Sequence, residues 1–229
     1  MTALPVVVLT GQLLTRDFWE PLAAVFGDRA LYADNGADES ITGMATRALD
    51  AAPVRFHLVA HAMGGFVAFD ILRRAHERVA SVTLMSTLAP ADTPVQTERR
   101  LGYARLVEEG RFEQVVEERI PILLHKDRRS DAALLQRVRR MAQDTGAERF
   151  LKQQRAIMTR EDSRPGLAAI HCPALIVAGA DDDIASAAHQ AEMHAAIPGA
   201  RRETLPHCGH LVTLERIDLL APLMAGWLA

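Results

Sequence analysis

The sequence predicts an α/β fold, a mostly parallel sheet of about six strands with helices on both faces and an inserted helical cap. The first observation behind this prediction is that short runs of Val, Ile and Leu alternate with segments of helical periodicity at both ends of the chain. The second is that this alternation stops after Met85 and resumes at Ala174. The third is the length, because 229 residues suffice for one such domain with an insertion and are too few for two ordinary domains and a linker.

The individual elements follow from local patterns. A continuous run such as Pro-Val-Val-Val-Leu near the start is typical of a strand buried on both faces of a parallel sheet. Asp38 and Ser40 are candidate caps of the second helix, and Pro53 ends it. The predicted strands are residues 5–9, 30–33, 55–60, 79–85, 174–178 and 201–205, and the predicted helices of the core are residues 17–26, 41–49, 64–75, 186–196 and 215–227.

The distribution of charge indicates where the insertion lies. Residues 91–165 hold 16 of the 26 Lys and Arg and 13 of the 29 Asp and Glu, so this segment carries +3 and the remainder −6. Apolar stripes at helical spacing predict three or more amphipathic helices within it, and Pro90, Pro94 and residues 163–166 are typical of hinges. We therefore predict a core formed by residues 1–89 and 167–229 and a helical lid at 90–166. Solvated helix faces are the alternative explanation for the charges.

Composition argues against several classes of protein. A net charge of −3 gives no reason to expect nucleic acid as a partner. No apolar run approaches the roughly 20 residues that cross a bilayer, and residues 1–10 lack the basic start of a signal peptide. Cys172 and Cys208 are too few for a disulfide framework, and free thiols suit a reducing compartment. We therefore expect a cytoplasmic protein that acts on a small molecule and does not bind membranes.

The most specific functional signal is the sequence Leu-Val-Ala-His-Ala-Met-Gly-Gly-Phe at residues 58–66. A strand that turns directly into a helix between small residues is typical of a nucleophile elbow, in which a strained turn projects one side chain above the carboxyl edge of the sheet. Ala60 and Gly64 are the small residues on either side, and Gly65 allows the helix to approach closely. The residue at the centre is Ala62.

With this elbow, the insertion and two later motifs, the chain resembles the α/β-hydrolase superfamily, specifically its capped, esterase-like members. The likeness covers essentially the whole length. In that superfamily the elbow carries Ser, less often Cys or Asp. Ala62 departs from the pattern at the one position that forms a covalent bond, because a methyl group cannot attack a carbonyl.

Two interpretations of Ala62 remain open. A non-glycine residue at this turn usually has a positive φ, which costs about 1 to 3 kcal/mol and persists where function requires it. Alanine retains this conformational strain without contributing to catalysis. In a chain that lost catalysis long ago, mutation to glycine would have relieved the strain. We therefore favour an engineered serine-to-alanine change that inactivates an enzyme over a natural non-catalytic relative.

The resemblance also implies a triad acid. In the superfamily the acid lies in a G-x-x-D loop after a buried strand, and counting from Gly179 selects Asp182. This carboxylate would orient the catalytic histidine and stabilise its charged form. Asp181 and Asp183 are the competitors. Three adjacent acids are also compatible with a cation site, but consecutive side chains point in different directions, so no metal is predicted.

The implied base lies in a loop before the last helix. There the superfamily has Gly-His followed by a glutamate, which selects His210 after Gly209. His207 is the alternative base. The spacing of His207, Cys208 and His210 is reminiscent of a zinc cluster, but a fourth ligand is missing nearby.

An oxyanion hole requires two backbone N–H groups that point at the carbonyl oxygen. The resemblance implies Met63, the residue after the nucleophile, where the helix dipole helps. It implies Gln12 as the second donor, in the loop after the first strand, with Leu13 as the alternative. Thr10 stands where the superfamily usually has His, and the Gln12 side chain could equally line the pocket.

Some apolar residues of the predicted lid should cover the site and shape its pocket. The sequence does not rank them, and most of the apolar stripe is expected to pack within the lid or on the core. The pocket candidates are Leu13, Phe112, Met141, Phe150 and Met158.

The predicted activity is that of a serine hydrolase acting on a small carboxylic ester or lactone, with Ala62 as an inactivating replacement. A Ser-His-Asp mechanism requires no metal or organic cofactor. The superfamily also includes thioesterases, amidases and hydrolases of C–C bonds, and the fold alone does not separate these. The alternative from another class is a small-molecule-binding homologue that has no catalytic activity.

Overall fold

The computed structural model describes residues 3–229. Met1 and Thr2, which begin the segment inspected for a signal peptide, lie outside the described residues. Within the described range, no helix combines the length and the apolar character of a membrane span. The six strands of this range are all parallel and form one sheet, which confirms the predicted fold class. They are β1 (Val6–Leu9), β2 (Ala30–Tyr32), β3 (Phe56–His61), β4 (Val79–Met85), β5 (Ala174–Gly179) and β6 (Arg201–Leu205).

The strand order determines where a ligand site can form. The order in the sheet is β2-β1-β3-β4-β5-β6, so the chain leaves β1 toward one edge and later returns to its other side at β3. The loops that follow β1 and β3 therefore leave the carboxyl ends of these two adjacent strands in opposite directions. In open α/β sheets this divergence creates the crevice in which ligands bind. The loop containing Gln12 and the elbow containing Ala62 flank this crevice.

Strand residues alternate between two cores, as the period of two requires. Val6 and Val8 belong to the core on one face, and Val7 and Leu9 to the core on the other. Because both faces of the central strands are buried, these strands read as continuous apolar runs. The helices of the core are α1 (Ala23–Phe26), α2 (Ile41–Ala51), α3 (Met63–Ala75), α7 (Ala187–Ala196), α8 (Val212–Glu215) and α9 (Ile217–Trp227), numbered with three inserted helices between α3 and α7. Helices α2, α3 and α7 cover the second face, and α1 and α9 the first.

One predicted helix is divided in the structure, and the last predicted helix, observed as α9, is preceded by the short helix α8, which the sequence analysis did not predict. The segment predicted at 17–26 is a 3-10 helix over Arg16–Leu22 followed by α1. Pro21 lies inside it and has no backbone N–H to donate, which disfavours a regular α-helix there. Arg216, whose φ is −137°, separates α8 from α9.

The segment between β4 and β5 is helical. It comprises α4 (Pro94–Glu108), α5 (Phe112–Leu123) and α6 (Ala132–Met158), and α6 bends at Gly146, where φ is 76°. Thr93 caps α4 reciprocally with Gln96, and Asp131 caps α6. These three helices pack on one another and, through α6, on the core loops.

Candidate active site

The elbow has the strained geometry that the sequence indicates. Ala62 has φ 50° and ψ −114° and lies between the last residue of β3 and the first residue of α3. A Cβ on Gly64 would lie 2.3 Å from the backbone oxygen of Leu9, and one on Gly65 would lie 2.2 Å from Oγ1 of Thr87. The Thr87 hydroxyl also donates to the Ala62 carbonyl over 2.7 Å. Two glycines are therefore required because the helix starts in contact with β1 and with the loop after β4.

Asp182 and His210 form a buried pair at the carboxyl edge of the sheet. Nδ1 of His210 lies 2.9 and 3.0 Å from the two carboxylate oxygens of Asp182. One of these oxygens also accepts the backbone N–H groups of Ile184 and Ala185, each over 2.9 Å. Burial would raise the pKa of Asp182, but the charge and hydrogen bond of His210 and the two N–H donors together lower that pKa to about 2. The carboxylate is therefore ionised at neutral pH and fixes the proton of His210 on Nδ1.

The alternative acids and base lie elsewhere. The Asp181 carboxylate is half exposed and lies 3.5 Å from Nε2 of His125. Asp183 is exposed and lies 3.6 Å from Arg129. His207 is exposed, with a φ of 51°, and its ring lies against His125. Of the three adjacent acids, Asp182 is the one that contacts His210.

A buried glutamate holds the loop that carries His210. The Glu215 carboxylate accepts backbone N–H groups from Gly209 over 3.1 Å, Leu211 over 3.2 Å and His125 over 2.7 Å. Burial raises the pKa of this carboxyl above its ordinary value. The backbone N–H of His210 itself donates to Leu123, at the end of α5, over 3.0 Å. The position of the imidazole thus depends on both the core and the inserted helices.

His61 is a residue of the site that the sequence analysis did not single out. It precedes Ala62, is fully buried, and its Nε2 donates to the backbone oxygen of His210 over 2.9 Å. Burial first, and then the neighbouring charge of His210, lowers the pKa of His61 to about 3. The ring packs against Phe18, with centroids 4.3 Å apart. Its position in the sequence, directly before the central residue of the elbow, is the signal that could have identified it.

A cavity of about 350 Å³ lies over the elbow and is lined by Ala62, Met63, Gln12 and His210. The backbone N–H groups of Gln12 and Met63 donate no hydrogen bond to any group among residues 3–229. Nε2 of His210 likewise has no partner in that range. The side-chain Nε2 of Gln12 is buried and also unpaired. Several unused donors and the second imidazole nitrogen therefore belong to residues that line one cavity.

The pocket candidates named from the sequence do not line this cavity. Leu13 points into the core, and its backbone N–H donates to Gln153. Phe112 packs on Phe150 with ring centroids 5.9 Å apart, and Phe150 and Met141 are buried between the inserted helices and the core. Met158 is partly buried outside the lining. The apolar stripe of α6 packs among the inserted helices and against the core. A periodicity argument cannot distinguish this packing from lining a pocket.

Other residues form the walls. The apolar ones are Leu14, Phe66, Leu88, Ile122, Leu123, Ile157 and Ile184. Ser86 also lines the cavity, with a positive φ of 46° and a buried hydroxyl that has no partner among the described residues. Four arginines, Arg99, Arg100, Arg119 and Arg160, also belong to the lining. The sequence predicted a charged lid but gave no means to separate arginines that face the cavity from those that face solvent.

Residues that could hold a metal lie outside the cavity. The candidate atoms of His125, Asp127 and His207 lie within 4.8 Å of one another. Asp127 and His207 are exposed, and His125 already accepts the backbone N–H of Asp127. This cluster is separate from the Asp182–His210 pair, and Cys208 is buried with its sulfur directed to the carbonyl of Gly209.

Comparison with known proteins identifies the family. A family model described as alpha/beta hydrolase fold matches residues 27–217. The chain belongs to the α/β-hydrolase family. One curated relative is a Klebsiella pneumoniae protein, RutD, whose name describes it as a proposed carbamate hydrolase. It is 33% identical to this chain over 208 residues, covering 84% of this chain and 74% of the relative. An Azorhizobium caulinodans protein with the same name is 27% identical, covering 97% and 90%.

Solved structures agree with this assignment. A thermophilic esterase from Thermogutta terrifontis, in a malate-bound form, is similar with a TM-score of 0.89 and 25% identity, covering 99% of this hydrolase and 90% of the esterase. An enol-lactonase from Burkholderia xenovorans LB400 gives a TM-score of 0.87 at 22% identity, covering 100% and 92%. The second likeness bears on the fold alone.

Proposed function

We propose that this α/β-hydrolase, with a serine at position 62, is a serine hydrolase of small carboxylic esters or lactones. The chain with Ala62 is then its inactive form. The observation that carries the proposal is the pairing of His210 with a buried, ionised Asp182 beside a cavity that Ala62 also lines. The names of the esterase and the RutD relatives support hydrolysis of an acyl bond and add carbamates to the substrates to be tested.

In this proposal His210 acts as the base. A hydroxyl in place of the Ala62 methyl would attack the substrate carbonyl while Nε2 of His210 removes its proton. Asp182 stabilises the imidazolium that forms, because its pKa of about 2 keeps it charged. The same proton then passes to the leaving alcohol. A water molecule then attacks the same carbonyl with His210 again as the base, and the carboxylic acid is released from position 62.

The unpaired N–H groups of Gln12 and Met63 are the proposed oxyanion hole. Met63 is the first residue of α3, where a helix leaves N–H groups without an internal partner and the dipole favours negative charge. In the proposed reaction both donors point at the oxygen that becomes charged in the tetrahedral intermediate. The inserted helices act as a lid that limits access of water to the cavity.

One observation favours a second candidate function. The centre of the elbow is alanine, so the chain has no nucleophile at that position. A binding protein that retains the cavity without chemistry would account for this residue. Such a protein has no need for an ionised acid–histidine pair, and the buried Asp182 carboxylate would be retained without a catalytic role.

The test is gain of activity by Ala62→Ser. Both proteins are assayed with p-nitrophenyl esters of several chain lengths, lactones and aryl carbamates. We expect turnover with the Ala62→Ser variant and none with the parent chain. Replacement of the nucleophile in serine hydrolases lowers kcat by about 10⁶, so the gain should be large.

Controls assign the activity to the proposed groups. Adding His210→Ala or Asp182→Asn to Ala62→Ser should lower kcat by at least about 10⁴. Adding Ser130→Ala, at an exposed serine outside the cavity, should leave kcat unchanged. If Ala62→Ser is folded and hydrolyses no member of the panel, the binding-protein alternative is favoured.

A further inference from the structure

The wall of the cavity formed by the inserted helices is strongly cationic. Arg99 and Arg100 on α4, Arg119 on α5 and Arg160 just after α6 all line it. Asp183 is the one acidic residue among the described residues of the lining, and it lies 3.6 Å from another arginine. In a protein of net charge −3, this wall concentrates positive charge at a site where a substrate would bind.

Two of the four arginines share a single counter-ion within the protein, which leaves this group with a net positive charge. The Asp92 carboxylate, 1% exposed, accepts Arg100 through one oxygen over 2.6 Å and Arg160 through the other. Arg160 donates three further N–H groups to the backbone oxygens of Pro90 and Ile157. These bonds connect Arg160, just after α6, to the segment between β4 and α4. Arg160 therefore has a structural role at the point where the inserted helices begin and end.

Arg119 has no such compensation. It forms no ion pair with any carboxylate among residues 3–229, and its buried Nε has no hydrogen-bond partner there. Its guanidinium lies over the Tyr103 ring, 5.5 Å from the centroid. Burial, together with the neighbouring charges of Arg100 and Arg99, lowers its pKa to about 10. A partly desolvated cation among other cations is unfavourable unless an anion completes the site.

Arg99 adds a second cation that lacks a counter-ion. Its side chain is exposed and forms no ion pair among the described residues. Arg119 and Arg99 together thus leave two guanidinium groups available to a ligand. A guanidinium fork matches a carboxylate in shape and charge and binds it through two N–H donors.

The core contributes both apolar residues and the proposed catalytic groups to the lining. Leu14, Met63 and Ile184 contribute to it beside Ala62 and His210. We infer that the substrate is a short ester or lactone with a carboxylate at the end away from the scissile carbonyl, bound by Arg119 with Arg99 nearby. This inference rests on the proposed function, because it assigns the scissile bond to the elbow.

Binding to the chain with Ala62 tests the inference without turnover. Titration calorimetry compares monomethyl glutarate, which carries one carboxylate, with dimethyl glutarate, which carries none. We expect the half-ester to bind at least about tenfold more tightly, the factor typical of a charge-assisted hydrogen bond. Arg119→Met should remove this preference and leave the affinity for the diester unchanged.

Matched variants separate a specific site from general charge. Arg105→Met removes an arginine from the same helix as Arg99, one that is exposed, paired with Glu98 and absent from the cavity. This variant should bind the half-ester as the parent does. Arg119→Lys, which keeps the charge and loses the fork, should bind it with intermediate affinity.

Several outcomes would overturn the inference. They are equal affinity for the half-ester and the diester, half-ester binding that survives Arg119→Met, no half-ester binding at millimolar concentration, and stronger competition by inorganic phosphate than by glutarate. Arg119→Met is checked by circular dichroism and by its affinity for the diester, so that unfolding is recognised.

The proposed function can fail separately. If Ala62→Ser hydrolyses neutral esters with no preference for half-esters, the carboxylate site is wrong and the hydrolase proposal stands. If Arg119-dependent binding is found but Ala62→Ser has no activity, the anion site stands and the hydrolase proposal fails.

Discussion

The backbone of Ala62 is held in its strained conformation by contacts on both sides. Its N–H donates to Met85 over 3.0 Å, and its carbonyl accepts the Thr87 hydroxyl over 2.7 Å. These contacts come from β4 and the loop after it, and neither uses the side chain at position 62. The direction in which that side chain projects is therefore a property of the fold, and a serine there would inherit it.

His61 provides a prediction about pH. Its pKa of about 3 lies below the ordinary value of 6.5, so the folded protein binds fewer protons there than the unfolded chain. The stabilisation is complete above pH 6.5 and is lost as the pH falls toward 3. Between pH 7 and pH 5 this residue alone should lower the free energy of unfolding by about 2 kcal/mol. Urea denaturation at the two pH values measures the change.

The variant His61→Gln isolates this contribution. Glutamine retains an N–H donor for the carbonyl of His210 and does not titrate, so the pH dependence should shrink by about 2 kcal/mol. The comparison with the parent cancels the contributions of two other groups to the pH dependence. They are His57, whose pKa is also lowered by burial, and Glu215, whose raised pKa acts in the opposite direction. His76→Gln, at an exposed histidine, is the control. An unchanged pH dependence in His61→Gln would show that His61 is not the titrating group.

At the scale of elements, the elbow depends on how closely α3 approaches the sheet. A Cβ on Gly64 would lie 2.3 Å from the Leu9 backbone oxygen, and backbone cannot move aside as a flexible side chain can. Gly64→Ala should therefore destabilise the protein by about 3 kcal/mol, although alanine is the better helix former. Thermal or urea denaturation of the parent chain measures this effect.

Gly102→Ala is the matched control within α4. A Cβ there meets only an Arg105 nitrogen at 3.9 Å, so the substitution should stabilise the protein by up to about 1 kcal/mol. If Gly64→Ala were tolerated as well as Gly102→Ala, the close approach of α3 to β1 would be refuted.

At the scale of the whole molecule, the uneven distribution of charge has a structural role. Arginines along α6 pair with acids of the core, Arg137 with Asp17 over 3.0 Å and Arg155 with Glu39 over 2.7 Å. The positive insertion thus lies against a negative core. These pairs are exposed and each contributes little. The buried Asp92 cluster is a stronger connection, and it joins the two ends of the insertion to each other.

Asp92→Asn tests that connection. It leaves Arg160, 3% exposed, and Arg100, 14% exposed, without their shared carboxylate. Removing one partner of a buried ion pair typically costs about 3 to 5 kcal/mol, and we expect a loss of that size in urea denaturation. Glu98→Gln, which breaks an exposed pair with Arg105, should have no measurable effect. Equal stability of the two variants would contradict the proposed role of the Asp92 cluster.

The sequence alone determined the features that depend on local patterns. The continuous apolar strands follow from burial on both faces. The elbow follows from the small residues at positions 60 and 64, and at position 64 a Cβ would meet the Leu9 backbone. The resemblance to a known family then gave the order of position 62, Asp182 and His210. The structure brings the last two within 2.9 Å.

Only the tertiary structure decided what surrounds the site. Whether an apolar or charged residue of α4, α5 or α6 faces the cavity depends on how three helices pack against one another and the core, which periodicity within one helix does not specify. Phe150 and Met141 are therefore buried in packing, whereas Arg119 lines the cavity without a counter-ion among residues 3–229. The contact of His61 with the His210 carbonyl spans 149 positions of sequence and likewise exists only once the chain has folded.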